Sequence, residues 1–313
     1  MQRTGHRPGG TMKILITGGT GFVGSAMAQA LHAQGHVVTV IGSSGKSCRR
    51  HQALAGLNCI TADTTRPGHW QDAVASQDAL INLAGKSVFS LWTKAAKAAI
   101  LDSRIETTRN LVAAIPKGSG MVLLSASAAG YYGNGGEEEH SEAHPSGSDF
   151  LARVCREWEA LAQGAENKGA RVVIMRLAVV LGKAGGALQS MKLPFQLGLG
   201  GPIGKGRQWF PWIHLADLVA AAQFLLNCES CHGPFNCSAP EAVRQIEFAR
   251  TLAVQLGRPA FFPAPAPLMR LALGEFGQSL LQGQKVLPRA LEEKGFVFSY
   301  PKLEQALRDL LHR

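Results

Sequence analysis

The sequence contains no apolar run approaching the ~18 residues needed to span a bilayer, and Met1 to Gly10 lack the apolar core of a secretory signal. This pattern argues against a membrane partner and makes the cytoplasm the expected compartment. Internal repeats and low-complexity blocks are missing too, which removes solenoids and linker-like chains. Cysteine is sparse. Cys48, Cys59, Cys155, Cys228, Cys231 and Cys237, with no secretory signal, read as reduced thiols rather than a disulfide frame. Cys228-Glu229-Ser230-Cys231 has the C-x-x-C form, but no second pair follows at zinc spacing, so no metal site is expected. Charged residues are only 17% of the chain against 46% apolar, the composition of a folded protein with a sizeable core. The net charge is +10, yet the basic residues form no stripe with interleaved aromatics. A nucleic-acid groove is therefore not expected, and the charge suits an enzyme whose ligand carries several phosphates.

What the sequence does have is concentrated near its start. Lys13-Ile14-Leu15-Ile16-Thr17 is a strand-forming run that leads into Gly18, Gly21 and Gly24, spaced G-x-x-G-x-x-G, and then into a helix predicted from Phe22 to about Gln34. Glycines at this spacing allow a tight turn, a close backbone approach to a pyrophosphate, and close packing of the helix on the strand. The helix start would aim its unpaired N–H groups at that phosphate. Thr20, Phe22 and Val23 belong to the same candidate site. A glycine-rich turn alone would read the same way without any ligand. Here Val37-Val38-Thr39-Val40-Ile41 completes a β-α-β unit, which points to a dinucleotide.

Further strands are predicted at 58–61, 79–83, 120–125 and 171–176, with helices near 69–76, 92–114 and 149–168. Repeated strand and helix means a doubly wound parallel α/β sheet of Rossmann type, covered on both faces. Residues 12–182 are assigned to this nucleotide-binding domain, with 213–228 packing back on it. Residues 183–313 form a smaller, mostly helical substrate domain. That part includes a short strand at 234–237 and a last helix with Leu303, Ala306, Leu307, Leu310 and Leu311 on one face.

No carboxylate lies between Gly24 and Asp63. An NAD site usually ends its second strand with an acid for the ribose 2′-hydroxyl, whereas this strand ends Ile41-Gly42-Ser43-Ser44-Gly45-Lys46, followed by Arg49 and Arg50. The small and basic pattern favours NADP (NADPH) over NAD, with Ser43, Ser44 and Lys46 as 2′-phosphate contacts, although such cations also occur as solvated loop charges. Asp63, Gly85 and Ser125, at later strand ends, complete the candidate cofactor contacts.

The glycine fingerprint, Asn82-Leu83-Ala84-Gly85, Ser125-Ala126-Ser127-Ala128-Ala129-Gly130-Tyr131-Tyr132-Gly133 and Arg207-Gln208-Trp209-Phe210-Pro211-Trp212-Ile213-His214-Leu215-Ala216-Asp217-Leu218 together resemble the extended short-chain dehydrogenase/reductases. More narrowly, the chain is similar to the atypical "epimerase family" subgroup with a C-terminal domain of unknown function. The supporting features are Trp92 with Asp102-Ser103-Arg104, the helix Phe150-Leu151…Cys155…Trp158-Glu159, Leu193 to Pro202, and Gly283-Gln284-Lys285-Val286-Leu287-Pro288. The resemblance runs from Met12 to the C-terminus. It implies that Leu83 and Ala84 line the adenosine side, that Arg104 reaches the cofactor, and that Val180 lies near the nicotinamide end. Relatives that bind NADP often carry arginine where this chain has Ser43, with Lys46 or Arg49 placed to compensate. Dimerisation through helices 92–114 and 149–168 is also implied.

Short-chain reductases normally use a Tyr-x-x-x-Lys pair, in which the lysine lowers the tyrosine pKa so that the phenol exchanges a proton with the substrate oxygen. Those places fall here at or near Leu151 and Cys155, so the pair is lost while the serine after the fifth strand is kept. Ser127, with Ser125 behind it, Tyr131 or Tyr132, and Cys155 are the candidate catalytic groups. Their plain alternatives are a backbone-satisfied hydroxyl, packed rings and an inert thiol. His214 and Asp217 are expected to cap or brace a helix. Two functions follow. One is an NADP-dependent oxidoreductase or epimerase with a small-molecule substrate held against Trp209, Phe210, Trp212 and Phe261. The other is an NADP(H)-binding sensor that lost the chemistry.

Overall fold

The computed structural model describes residues 10–44 and 57–312. Seven strands, β1 (Lys13–Thr17), β2 (Val37–Gly42), β3 (Asn58–Thr61), β4 (Ala79–Asn82), β5 (Val122–Ala128), β6 (Arg171–Leu177) and β7 (Gly233–Cys237), form one sheet. Their order is β7-β6-β5-β4-β1-β2-β3, and every neighbouring pair is parallel. The central strands read KILIT, ALIN and VLLSASA, near-continuous apolar runs because both of their faces are covered.

In chain order the helices of ten residues or more are α1 (Phe22–Ala33), α2 (Lys94–Ala114), α3 (Phe150–Gln163), α4 (Ala187–Gln196), α5 (Leu215–Asn227), α6 (Gln245–Gln255), α7 (Ala266–Ser279) and α8 (Leu303–His312). On one face of the sheet α1 and α5 bury Met27, Leu31, Leu218 and Leu225 against Ile14, Ile16, Ile81 and Val173. On the other face Leu111 of α2 and Ala162 of α3 pack on Leu15, Leu80, Leu123 and Ile174. Thr93 caps α2 by accepting from the Ala96 amide at 3.1 Å, and Asp149 caps α3 by accepting from the Ala152 amide at 2.8 Å. A second core joins α6 and α8 through Phe248, Leu252, Leu303 and Leu307, around Trp212. The face of α8 that the sequence predicted is the face it buries there.

Three features differ from the sequence reading. The strand expected in the C-terminal part, now 233–237, pairs with β6 and extends the nucleotide-side sheet. Residues 212–214 form a short strand beside 179–182, so α5 begins only at Leu215. Cys228 and Cys231 are disulfide-bonded rather than reduced, because the turn after α5 brings their Cα atoms to 5.3 Å, within bridging range. Cys155 and Cys237 are free and buried.

Candidate active site

The carboxyl edge of the sheet carries the turn between β1 and α1. Gly18 has φ +68°, and a Cβ there would stand 2.9 Å from the Leu83 carbonyl and the Ala84 nitrogen at the end of β4. At Gly24 a Cβ would meet the Gly18 oxygen at 2.3 Å, so only hydrogen lets α1 close onto the turn. Gly21 differs from both. It is exposed, and a Cβ there would have only the Gly18 oxygen, at 3.2 Å, as a neighbour within 4 Å. The Gly21 amide donates to the Gly18 carbonyl at 2.9 Å, while the Phe22 and Val23 amides at the start of α1 have no acceptor among the described residues. No acidic side chain occupies this first turn. An open, uncapped helix start of this kind is suited to an anion. Thr20 and Val23 flank it, half-buried.

The neighbouring strand ends complete this half. Leu83 and Ala84 are half-buried beside Gly18, and Gly85 lies flat against the Arg104 guanidinium, 2.9 Å from a would-be Cβ. Arg104 Nη1 donates to the carbonyls of Lys86 at 3.0 Å and Ile100 at 2.9 Å, and burial lowers its pKa from the ordinary value. The guanidinium lies 5.2 Å from the Trp158 ring centroid, and its Nε and Nη2 make no hydrogen bond among the described residues. Ser125 is fully buried and accepts from Asn82 Nδ2 at 3.4 Å, inside a network that runs from Thr17 through Asn82 to Thr108. Ser43 and Ser44 stand exposed at the end of β2, while Lys46 lies outside the described residues. The exposed Asp63 carboxylate accepts from the Thr65 hydroxyl at 2.6 Å and the Thr65 amide at 3.0 Å, bonds that hold its pKa below its ordinary value. Val180 lies on the hairpin strand 179–182, paired with Ile213. The rest of that hairpin, Gly182, Gly185 and Gly186, packs on the Phe22 ring.

Farther along the edge, β5, β6 and α3 bring the candidate catalytic groups together. Ser127 Oγ donates to Glu159 Oε1 at 2.5 Å, and Glu159 grips Arg176 at 3.0 and 2.9 Å. Arg176 Nη1 donates to the Tyr132 hydroxyl at 3.0 Å, and that hydroxyl donates to Asn236 Oδ1 at 2.7 Å. All five side chains are buried. Burial lowers the pKa of Arg176, but its contacts with Glu159 outweigh this and raise it overall; burial lifts the Tyr132 phenol to about 12. Glu142 Oε1 accepts from the amides of Asn236 at 2.9 Å and Ala290 at 3.2 Å, and burial raises its pKa. Tyr131 is the exception in this half. Its half-buried ring lies under the Arg176 guanidinium, 3.5 Å from its centroid, and its hydroxyl has no hydrogen-bond partner among the described residues. Cys155 is fully buried, and burial pushes its thiol up to about 11, so it stays protonated at neutral pH.

The C-terminal residues divide differently from the sequence expectation. Trp212 and Phe210 are core residues, not cleft surface, since Trp212 donates to the Glu241 carbonyl at 3.1 Å and Phe210 stacks on Phe248 at 4.4 Å. Trp209 lies under Arg244 at 3.7 Å, and Phe261 is exposed. His214 and Asp217 are structural, as the sequence suggested. His214 Nδ1 caps α5 at the Ala216 amide, 3.0 Å away, and Asp217 accepts from the amides of Ser299 and Tyr300 at 2.8 and 2.9 Å.

Residues 14–237 match the model of the NAD dependent epimerase/dehydratase family, and residues 264–310 match a domain of unknown function, DUF1731. The chain belongs to the NAD dependent epimerase/dehydratase family. It is 39% identical over 304 residues to the epimerase family protein SDR39U1 homolog, chloroplastic, of Arabidopsis thaliana, covering 96% of this chain and 87% of that one. An epimerase family protein of Staphylococcus aureus is 38% identical over 309 residues, covering 96% and 99%. The crystal structure of human epimerase family protein SDR39U1 (isoform 2) with NADPH aligns with TM-score 0.83 and 35% identity, covering 96% and 100%. Thermus thermophilus UDP-glucose 4-epimerase, in complex with NAD, has a TM-score of 0.77 at 21% identity, a likeness of fold alone. No helix among the described residues is long and apolar enough to cross a membrane.

Within this epimerase-family chain, sequence reasoning missed Glu159, Arg176, Asn236 and Glu142 as a connected group. A signal was present. Arg176 interrupts the apolar run RVVIMRL, and Glu159 falls among the buried positions of α3 beside Cys155 and Trp158. A charge in such a place is expected to have a buried partner.

Proposed function

We propose that this epimerase-family protein is an NADP(H)-dependent oxidoreductase or epimerase acting in the cytoplasm on a small hydroxylated or carbonyl compound. The turn from Gly18 to Gly24 carries this reading: it is closed by glycine contacts at Gly18 and Gly24 and left open at Gly21, where a Cβ would meet only one atom. That cradle fits a pyrophosphate, with the Phe22 and Val23 amides as donors and Arg104 at its border. The lack of a carboxylate between Gly24 and Asp63 and the NADPH in the human relative support the phosphorylated cofactor. Bound there, NADP(H) supplies or accepts a hydride at a substrate carbon.

Tyr131 is assigned the accompanying proton. Ser127 already donates its hydroxyl proton to Glu159, and Cys155 holds its own up to about 11. In the reducing direction the Tyr131 phenol gives its proton to the substrate oxygen as that carbon is reduced, and the oxidising direction reverses both transfers. In a screen of carbonyl and hydroxyl compounds followed by reduced-nicotinamide absorbance, Tyr131→Phe should lose roughly 10²- to 10⁴-fold in turnover with folding and NADPH affinity unchanged. Unchanged turnover removes Tyr131 from the mechanism. The engaged Ser127 favours a second reading, an NADP(H)-responsive binding protein, which NADPH binding without turnover across the screen would select. Homodimerisation through α2 and α3, without nucleic-acid or membrane partners, belongs to the same proposal and is checked by mass in solution.

A further inference from the structure

Neither the stretch between Glu166 and Asp217 nor the one between Glu247 and Glu275 contains an acidic residue. The same stretches hold Leu193, Leu197, Leu199, Phe261, Phe262 and Leu271, each more than half exposed. They run side by side. The Phe262 amide donates to the Gly200 carbonyl at 3.4 Å and the Ala264 amide to the Pro202 carbonyl at 2.8 Å, so the loops that carry Leu197, Leu199, Phe261 and Phe262 lie against one another, with Leu193 on α4 before the first and Leu271 on α7 after the second.

Both stretches are anchored to the carboxyl edge of the sheet. α4 starts after Gly186, where a Cβ would stand 2.6 Å from the Phe22 ring of the glycine turn. α7 is held at its other end by Phe276, which packs 5.8 Å from Phe89 and 5.6 Å from Trp92 in the loop following Gly85. Lys192, Lys205, Arg207, Arg258 and Arg270 belong to the same two stretches, and none makes an ion pair among the described residues. Contiguous exposed apolar side chains mark a binding surface, and uncompensated cations around them select an anion. A neutral sugar matches neither property.

We infer that the substrate side of this site takes an amphiphilic anion, a carbonyl or hydroxyl compound with an extended hydrocarbon body and a carboxylate or phosphate end. The inference rests on the reading of the glycine turn as a nicotinamide-dinucleotide site and narrows the substrate of that site.

The test is a fluorescence titration of the full-length protein with dansyl-labelled undecanoic acid in the presence of NADPH, with dodecanoate, dodecyl phosphate, dodecanol and UDP-glucose as competitors. The expected result is saturable binding displaced by dodecanoate or dodecyl phosphate, the better of the two identifying the anionic end, and not by dodecanol or UDP-glucose. Phe262→Ser and Leu197→Ser should each weaken binding by about tenfold or more. Lys192→Glu and Arg258→Glu should weaken it too, and Val297→Ser, at an exposed apolar position outside these stretches, should not. Absence of binding, displacement by UDP-glucose, or indifference to the four variants overturns the inference. So does a dimer broken by Phe262→Ser in a protein that binds no fatty acid, which would give the patch to a second copy. Calorimetric titration of the same samples with NADPH separates the two readings. NADPH binding without fatty-acid binding overturns this inference alone, and loss of NADPH binding overturns the reading beneath it.

Discussion

At the turn between β1 and α1 the chain leaves amides unpaired and space open, whereas at the ends of β5 and β6 its polar groups are spent on one another. Gly21 faces almost nothing, and the Phe22 and Val23 amides wait for an acceptor. Ser127, Glu159, Arg176, Tyr132 and Asn236 form a closed chain of hydrogen bonds. The first region is built to be completed by a ligand. The second is built to hold a shape, and among the described residues it leaves the half-buried Tyr131 hydroxyl without a hydrogen-bond partner. The sequence contains no Tyr-x-x-x-Lys, and the buried Arg176 cation packs against the Tyr131 phenol ring.

Opening the closed half should have the greatest consequence. Glu159→Ala leaves the Arg176 guanidinium buried without its counter-charge and should cost about 3–5 kcal/mol in urea denaturation, with Arg176→Met added to Glu159→Leu recovering much of it. A loss below about 1 kcal/mol would mean that the half is not closed as described. Next is the open half. Gly24→Ala places a Cβ 2.3 Å from the Gly18 oxygen. It should cost roughly 1–3 kcal/mol and weaken NADPH at least about tenfold. Gly164→Ala, where a Cβ meets nothing within 4 Å, is its neutral control.

The smallest expected effect is on pH dependence. Burial holds His214 below its ordinary 6.5, and its Nδ1 accepts from the Ala216 amide, a bond that protonation would turn into two facing donors. The folded protein therefore binds fewer protons there than the unfolded chain. Stability from this group is full above 6.5 and is lost as pH falls through and below that value. Melting temperatures from roughly pH 8 to pH 5 should decline toward acid, less steeply in His214→Asn, which keeps a capping oxygen. An equal slope in the variant would assign the acid loss to other groups, with His140, whose pKa burial also lowers, as the first to examine.

The same contrast explains what could be read from the sequence. The glycine turn is written in seven successive residues, because backbone sterics there depend only on local positions. Strands β1 to β6 were readable as apolar runs between turn signals. β7 is readable as a strand at 234–237, but Gly233-Pro234-Phe235-Asn236-Cys237 is short and mixed, and only its pairing with β6 reveals its sheet. The closed network was not readable as a unit. Its partners lie 32, 17, 44 and 104 positions apart, and no local spacing announces them. Trp212 and Phe210 were misjudged for a related reason: an aromatic next to a glycine-rich loop looks the same in sequence whether it lines a cleft or fills a core.

The most direct test of the account is calorimetric titration of NADPH and NADH into the native protein and into Gly21→Asp, which puts a carboxylate where the turn is open. NADPH should bind the native protein at micromolar concentration, more tightly than NADH, and binding should vanish in the variant. Absence of NADPH binding to the native protein, or equal binding to Gly21→Asp, would contradict the assignment of this turn as the cofactor site.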